Sequence, residues 1–151
     1  HSEQRPLMSG RSEFREENVE ILSTWYIKSR LSNNNRITVH DIKVADYFDV
    51  LGTKILCVHG QDERNLEQSL KDYQDIYNVK IHMLKCGHLH HFNGKTITAD
   101  GIRNVEFIQS PAIASFNDYA LSKKKTSVAG SLITVIEDGY GKLCTYDVRF
   151  K

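Results

Sequence analysis

Val79-Lys80-Ile81-His82-Met83-Leu84-Lys85 runs into Cys86-Gly87-His88-Leu89-His90-His91, and the reading of the fold turns on this stretch. The first seven residues alternate well enough between apolar and polar to predict a buried strand. A glycine after such a strand permits a sharp turn, which would leave two imidazoles, one residue apart, projecting from the loop. Upstream, Lys54-Ile55-Leu56-Cys57-Val58 predicts a second strand, and it also ends in histidine and glycine, His59-Gly60. Two strands ending this way gather three imidazoles at one edge of a sheet. In open α/β sheets, ligands sit at the edge formed by the carboxyl ends of the strands.

Between these strands, Leu66, Leu70, Tyr73 and Tyr77 recur at helical spacing and predict a helix from about Glu63 to Tyr77. Strand, helix, strand is a βαβ unit, and its right-handed crossover makes the two strands parallel. Before it, Tyr47–Leu51 predicts a strand joined to Lys54–Val58 by a hairpin turn at Gly52-Thr53. Ile37–His40 reads as a short strand or edge segment. Further upstream, Ser12 has the character of a helix N-cap, with Glu13, Glu16 and Glu17 near the start. The helix would carry Val19, Leu22, Tyr26 and Ile27 as a core face, with Trp25 on the flank. It should stop at about Leu31, before Ser32-Asn33-Asn34-Asn35.

Beyond His91 the pattern turns to β. Asn93-Gly94 and Asp100-Gly101 read as turns that separate strands at Lys95–Ala99 and Val105–Gln109. Ser131–Ile136 and Lys142–Phe150 predict a terminal hairpin around Glu137-Asp138-Gly139-Tyr140-Gly141. Lys123-Lys124-Lys125 is a short basic run of the kind found on solvated loops.

With 151 residues, 40% apolar and 26% charged, the chain has the length and composition of one soluble globular domain, read here as spanning 1–151. Twenty basic residues against nineteen acidic ones give no global drive toward nucleic acid or an anionic membrane. No apolar run approaches the ~20 residues that span a bilayer, and the N-terminus has no hydrophobic signal segment, so no membrane partner is expected. Cys57, Cys86 and Cys144 are odd in number and far apart, which suits reduced thiols in the cytoplasm. Glycine-rich phosphate loops, a Gly-x-Ser-x-Gly elbow and zinc-finger spacings are absent from the sequence.

That leaves the histidines. Neutral imidazole is a common ligand for first-row metals, and His88 and His90 at i, i+2 on a loop can reach one ion or two adjacent ions. The plainer reading is a polar turn with surface histidines. His59 is either a second-strand partner in the same site or a core histidine bonded to backbone. His82 lies within its strand and reads as packed or hydrogen-bonded, His91 as a helper or an exposed side chain, and His40 as uninformative.

Gly87-His88-Leu89-His90, preceded by a strand ending in the lone His59, resembles the closing motifs of the calcineurin-like metallophosphoesterases. The residues from Ser110 to Phe150 also resemble the β-rich tail of prokaryotic and phage-type members. The resemblance implies an α/β fold, the second half of an αββα sandwich, with a mixed sheet and a β-rich C-terminal tail. It implies two divalent cations, manganese first, with iron, zinc or magnesium as alternatives. His59 and His88 would bind one ion and His90 the other, to hydrolyse a phosphate ester with metal-activated water. The substrate could be a nucleic acid, a phosphoprotein or a small molecule.

The family's earlier motifs, Asp-x-His and Gly-Asp-x-x-Asp, occur nowhere in the sequence. The opening His1-Ser2-Glu3 is similar to the end of a third motif, Gly-Asn-His-[Asp/Glu], whose histidine aids catalysis; a tag remnant is the competing reading. The Asp and Asn ligands would then come from an N-terminal half of the same domain or from a partner chain, and this chain alone would be inactive. A sheet edge left open by the missing strands could also pair two copies. The alternative function is a non-catalytic metal-binding or assembly module, in which His59, His88 and His90 hold a single ion.

Overall fold

Apolar side chains on both faces of three short runs make those runs the middle of a sheet, covered on both sides. The computed structural model describes residues 19–42, 45–60, 63–99, 104–113 and 128–150. Its central sheet contains β1 (Ala45–Val50), β2 (Thr53–Val58), β3 (Met83–Cys86), β5 (Asn104–Gln109) and β4 (Asn93–Ala99), in that spatial order. β2, β3 and β5 run parallel, and β1 and β4 pair antiparallel at the two edges. The chain is therefore of the α/β class with a mixed sheet, as expected.

Successive residues along each strand supply two separate cores. Leu56, Val58, Leu84, Cys86, Val105 and Phe107 pack with Leu70 and Ile81 in one cluster, joined by Leu66, Tyr73 and Tyr77 of α2 (Leu66–Tyr77). Ile55, Met83 and Ile108 form the other, joined by Leu132 and Ile136 of β6 (Gly130–Glu137). Among the described residues β6 pairs only with β7 (Gly141–Arg149), the β-rich tail. Among the described residues from 42 to 150 the layers are helix, five-stranded sheet, two-stranded sheet. Lys85 Nζ donates to Thr134 Oγ1 at 2.9 Å, and Lys142 pairs with Glu106; both links tie the hairpin to the sheet.

Several boundaries differ from expectation, each for a local reason. The first hairpin turns at Leu51-Gly52, not Gly52-Thr53: both residues have positive φ, 50° and 75°, and Gly52 N–H donates to Asp49 Oδ1 at 2.7 Å. Thr53 is instead the first, buried residue of β2. The α2 helix begins at Leu66 because Asn65 caps it, its side chain accepting from Gln68 N–H at 3.2 Å. It ends at a left-handed Asn78, where Val79 N–H returns to the Gln74 carbonyl. Asn93-Gly94 is not a turn but the start of β4, because both residues pair with the end of β5. Val79–His82 precede β3 rather than belonging to it, although Ile81 is fully buried.

The chain comprises two compact units, His1–Asp41 and Ile42–Lys151. Within the first lies α1 (Val19–Leu31). Of its expected core face, Leu22, Tyr26 and Ile27 are exposed, as is Trp25 on the flank. The apolar side chains are spread around the helix with Lys28 and Arg30 among them, so no single stripe forms. Ile37–His40 is not a strand, since among the described residues no neighbouring strand pairs with it. The expected N-cap Ser12, the Asp100-Gly101 turn, Lys123–Lys125 and His1 lie outside the described residues. No described helix is long and apolar enough to cross a membrane, and all three cysteines are free thiols.

Candidate metal centre

In the parallel β2–β3 pair, Val58 is level with Cys86, so the two strands run out together. The next residues lock the ends: Gly87 N–H donates to the His59 carbonyl at 3.1 Å. Gly60 makes this approach possible. A Cβ there would stand 3.0 Å from Cys86 Cβ and 3.1 Å from its Sγ, and φ is +100°, a conformation that side chains disfavour.

Once the ends are joined, His59 and His88 meet. His59 Nε2 lies 3.1 Å from His88 Nδ1, with ring centroids 5.0 Å apart and the planes at 65°. One nitrogen donates and the other accepts, so the pair shares a single hydrogen between two lone-pair sites. His59 is exposed rather than buried, because it lies one residue past the strand; His88 is half-buried.

The loop that carries His88 is held under strain. His88 and His90 have φ of 66° and 63°, a left-handed backbone unusual for residues other than glycine. Leu89 N–H donates to the Gly87 carbonyl at 2.8 Å, closing a tight turn of the rare positive-φ kind around His88. His91 Nδ1–H donates to the Leu89 carbonyl at 2.9 Å and Gln109 Nε2 to the His91 carbonyl at 2.8 Å. Strain of this sort costs about 1–3 kcal/mol per residue and persists only where the surroundings impose it.

The donor chemistry partly fits a metal. Nitrogen ligands sit about 2.0–2.1 Å from a zinc-sized ion, which puts two ligands of one ion roughly 3–3.4 Å apart. The 3.1 Å between His59 and His88 falls within that span. Among the described residues, however, no three His, Cys, Asp or Glu side chains form a group able to hold an ion, so His90 does not complete a tri-histidine set with this pair. His1 lies outside the described residues.

The other candidates have separate roles. His82 Nδ1 accepts from Lys54 N–H at 2.9 Å, a structural bond in the body of the sheet. Burial, with a smaller contribution from Glu63, pushes the Cys86 thiol up to about 12, which leaves it protonated and a poor ligand. Two contributors were not evident from the sequence: Gly60, whose role appears only when Cys86 lies against it, and Gln109. The one sequence signal for Gln109 was a polar residue closing an apolar strand.

No family model matches the chain. The SPbeta prophage-derived uncharacterized protein YonJ of Bacillus subtilis (strain 168) is 29% identical over 149 residues. That match takes in 97% of this chain but spans only 36% of the relative's length. Among solved structures, wild-type Vps29 of Entamoeba histolytica complexed with Zn2+ is 16% identical at a TM-score of 0.46, over 72% of this chain and 61% of that one. A single mutant of the same protein gives 0.46 at 14% identity, over 78% and 67%. At these values the likeness assigns neither an activity nor a metal to this chain.

Proposed function

We propose that this chain supplies the histidine half of a metal-dependent phosphoesterase centre. The observation that carries the reading is the His59–His88 contact, 3.1 Å between nitrogens at the carboxyl ends of adjacent parallel strands, within a sequence that resembles the calcineurin-like motifs. His59 and His88 would hold one divalent ion, His90 would serve a second, and His1 would sit beside the phosphate. Manganese is the first candidate, with iron, zinc and magnesium as alternatives. Cations bound there supply charge neutralisation on the phosphate and activation of water. The chain's own work is to present two imidazole nitrogens 3.1 Å apart, one at the end of β2 and one on a braced loop. Asp and Asn ligands would come from an N-terminal half of the domain or a partner chain, acting in the cytoplasm on a phosphoester of a nucleic acid, a phosphoprotein or a small molecule.

A second reading has its own support. Because no carboxylate joins the histidine pair among the described residues, a non-catalytic module that holds one ion fits the geometry too. Metal content separates the two: close to two ions per chain with the complementary half present for the enzyme, one or none for the module.

The direct test is hydrolysis of bis-p-nitrophenyl phosphate with manganese. It would be run on this chain and on a longer polypeptide carrying the Asp and Asn ligands. Activity is expected only in the latter, and His59→Ala or His88→Ala should abolish it while leaving the fold intact. Wild-type rates in both variants would overturn the assignment.

A further inference from the structure

We propose that Gln109 is the positioning residue of this centre: its side-chain amide pins the histidine loop across the end of β5 and so fixes where His88 points. The inference rests on the reading of the loop as a metal site, and it begins with topology. The chain passes directly from β3 to β4, yet β5 lies between them in the sheet. The loop 87–92 must therefore bridge over the carboxyl end of β5.

Gln109 stands at the middle of that bridge. Its backbone is level with Cys86, the last residue before the loop, on one side, and with Asn93, the first residue after it, on the other. Its backbone is therefore held from both sides. The side chain is 2% exposed, a depth at which an unbonded amide is costly. The amide spends its Nε2–H on the His91 carbonyl at 2.8 Å. The next residue adds a second tie, Ser110 N–H to the Cys86 carbonyl at 2.8 Å.

For packing alone an apolar side chain would serve at this position, as Phe107 and Val105 do two and four residues earlier on the same face. What the amide adds is a hold on a loop with two left-handed histidines. Without that hold the loop can relax toward ordinary backbone angles, and the relaxation moves His88 away from His59. Groups that orient metal ligands from outside the coordination sphere commonly alter affinity by about 10–100-fold.

The test uses Gln109→Met, which keeps the volume and removes the donor. Zn2+ titration calorimetry should show affinity reduced about tenfold or more. Amide hydrogen exchange at Leu89–Phe92 should quicken, and the scalar coupling between the His59 and His88 ring nitrogens should disappear. A merely structural role would lower global stability and leave loop exchange and ring coupling as in the wild type; that result overturns the proposal. If the wild-type chain binds no Zn2+, the metal reading fails, while loop exchange and ring coupling still decide the role of Gln109. If Gln109→Met does not fold, the wild-type protein decides it. A trans-hydrogen-bond coupling from Gln109 Nε2 to the His91 carbonyl, with slowed exchange of that side-chain amide, supports the proposal; rapid exchange and no coupling refute it.

Discussion

Gly60 is what lets the strand ends that carry His59 and His88 meet. Its φ of +100° and the 3.0 Å that would separate a Cβ from Cys86 Cβ are independent obstacles to any side chain. Gly60→Ala should therefore cost about 1–3 kcal/mol of stability from backbone strain alone. Relief of the contact would push the two strand ends apart, so the His59–His88 ring coupling should be lost as well. Urea unfolding and histidine-detected NMR measure the two effects, and a variant with a wild-type midpoint and intact coupling would show that the close approach is not required. The other two faces of the site, His88 and its loop, differ in kind. Their strain is borne by hydrogen bonds from neighbouring elements, so it can be removed one donor at a time.

Among the elements, the β1–β2 hairpin contains an evident local misfit. A two-residue turn with positive φ at both positions favours Asn-Gly, yet Leu51 occupies the first. Leu51 is 55% exposed and so contributes little to the core in return. Leu51→Asn should raise stability by about 0.5–1 kcal/mol, read as a higher urea midpoint at unchanged slope. Lys85 is the corresponding misfit on β3. Burial lowers its ammonium pKa below the ordinary 10.5, with the Cys57 thiol acting weakly the other way. A lowered value means that the folded state favours the neutral amine. The charged form therefore opposes folding below the folded pKa, and the penalty fades as pH rises toward 10.5. Lys85→Met should unfold at higher urea than wild type at pH 7, with the gap narrowing at pH 10. A gap that persists at pH 10 would assign the gain to packing instead. These elements also show what the sequence could reveal. The apolar runs of β2, β3 and β5 and the inward face of α2 were legible because burial on one or both faces leaves a periodic trace. The Leu51 turn was not, because leucine gives no hint of positive φ. At Asn93-Gly94 a favourable turn pair loses to cross-strand pairing with β5, which the local sequence does not display. The α1 face misled because helical spacing shows where apolar groups fall and not whether anything covers them. In the site, the convergence of His59 and His88 followed from two similar strand ends, whereas the part played by Gln109 depended on strand order, which the sequence does not display.

At the scale of the Ile42–Lys151 unit, α2 and the β6–β7 hairpin cover opposite faces of the five-stranded sheet, and the histidine pair sits on the rim common to the parallel strands. Such a placement couples metal binding to folding. His59 and His88 lie 29 positions apart in the chain and meet only when β2 and β3 are paired, so an unfolded chain offers no comparable pair of ligands. A ligand that binds only the folded state stabilises it by an amount set by its concentration relative to Kd, about 2.7 kcal/mol at 100 Kd. For a chain of this size each kcal/mol moves Tm by about 2–4 °C, so saturating Zn2+ or Mn2+ should raise Tm by roughly 5–10 °C. Chelator should reverse the shift. His88→Ala should abolish it, and His90→Ala should leave most of it if His90 serves a different ion. Equal loss in both variants would place His90 beside the other two after all and favour a single-ion site. A wild-type Tm indifferent to either metal would mean that the 3.1 Å contact is only a hydrogen bond between two rings.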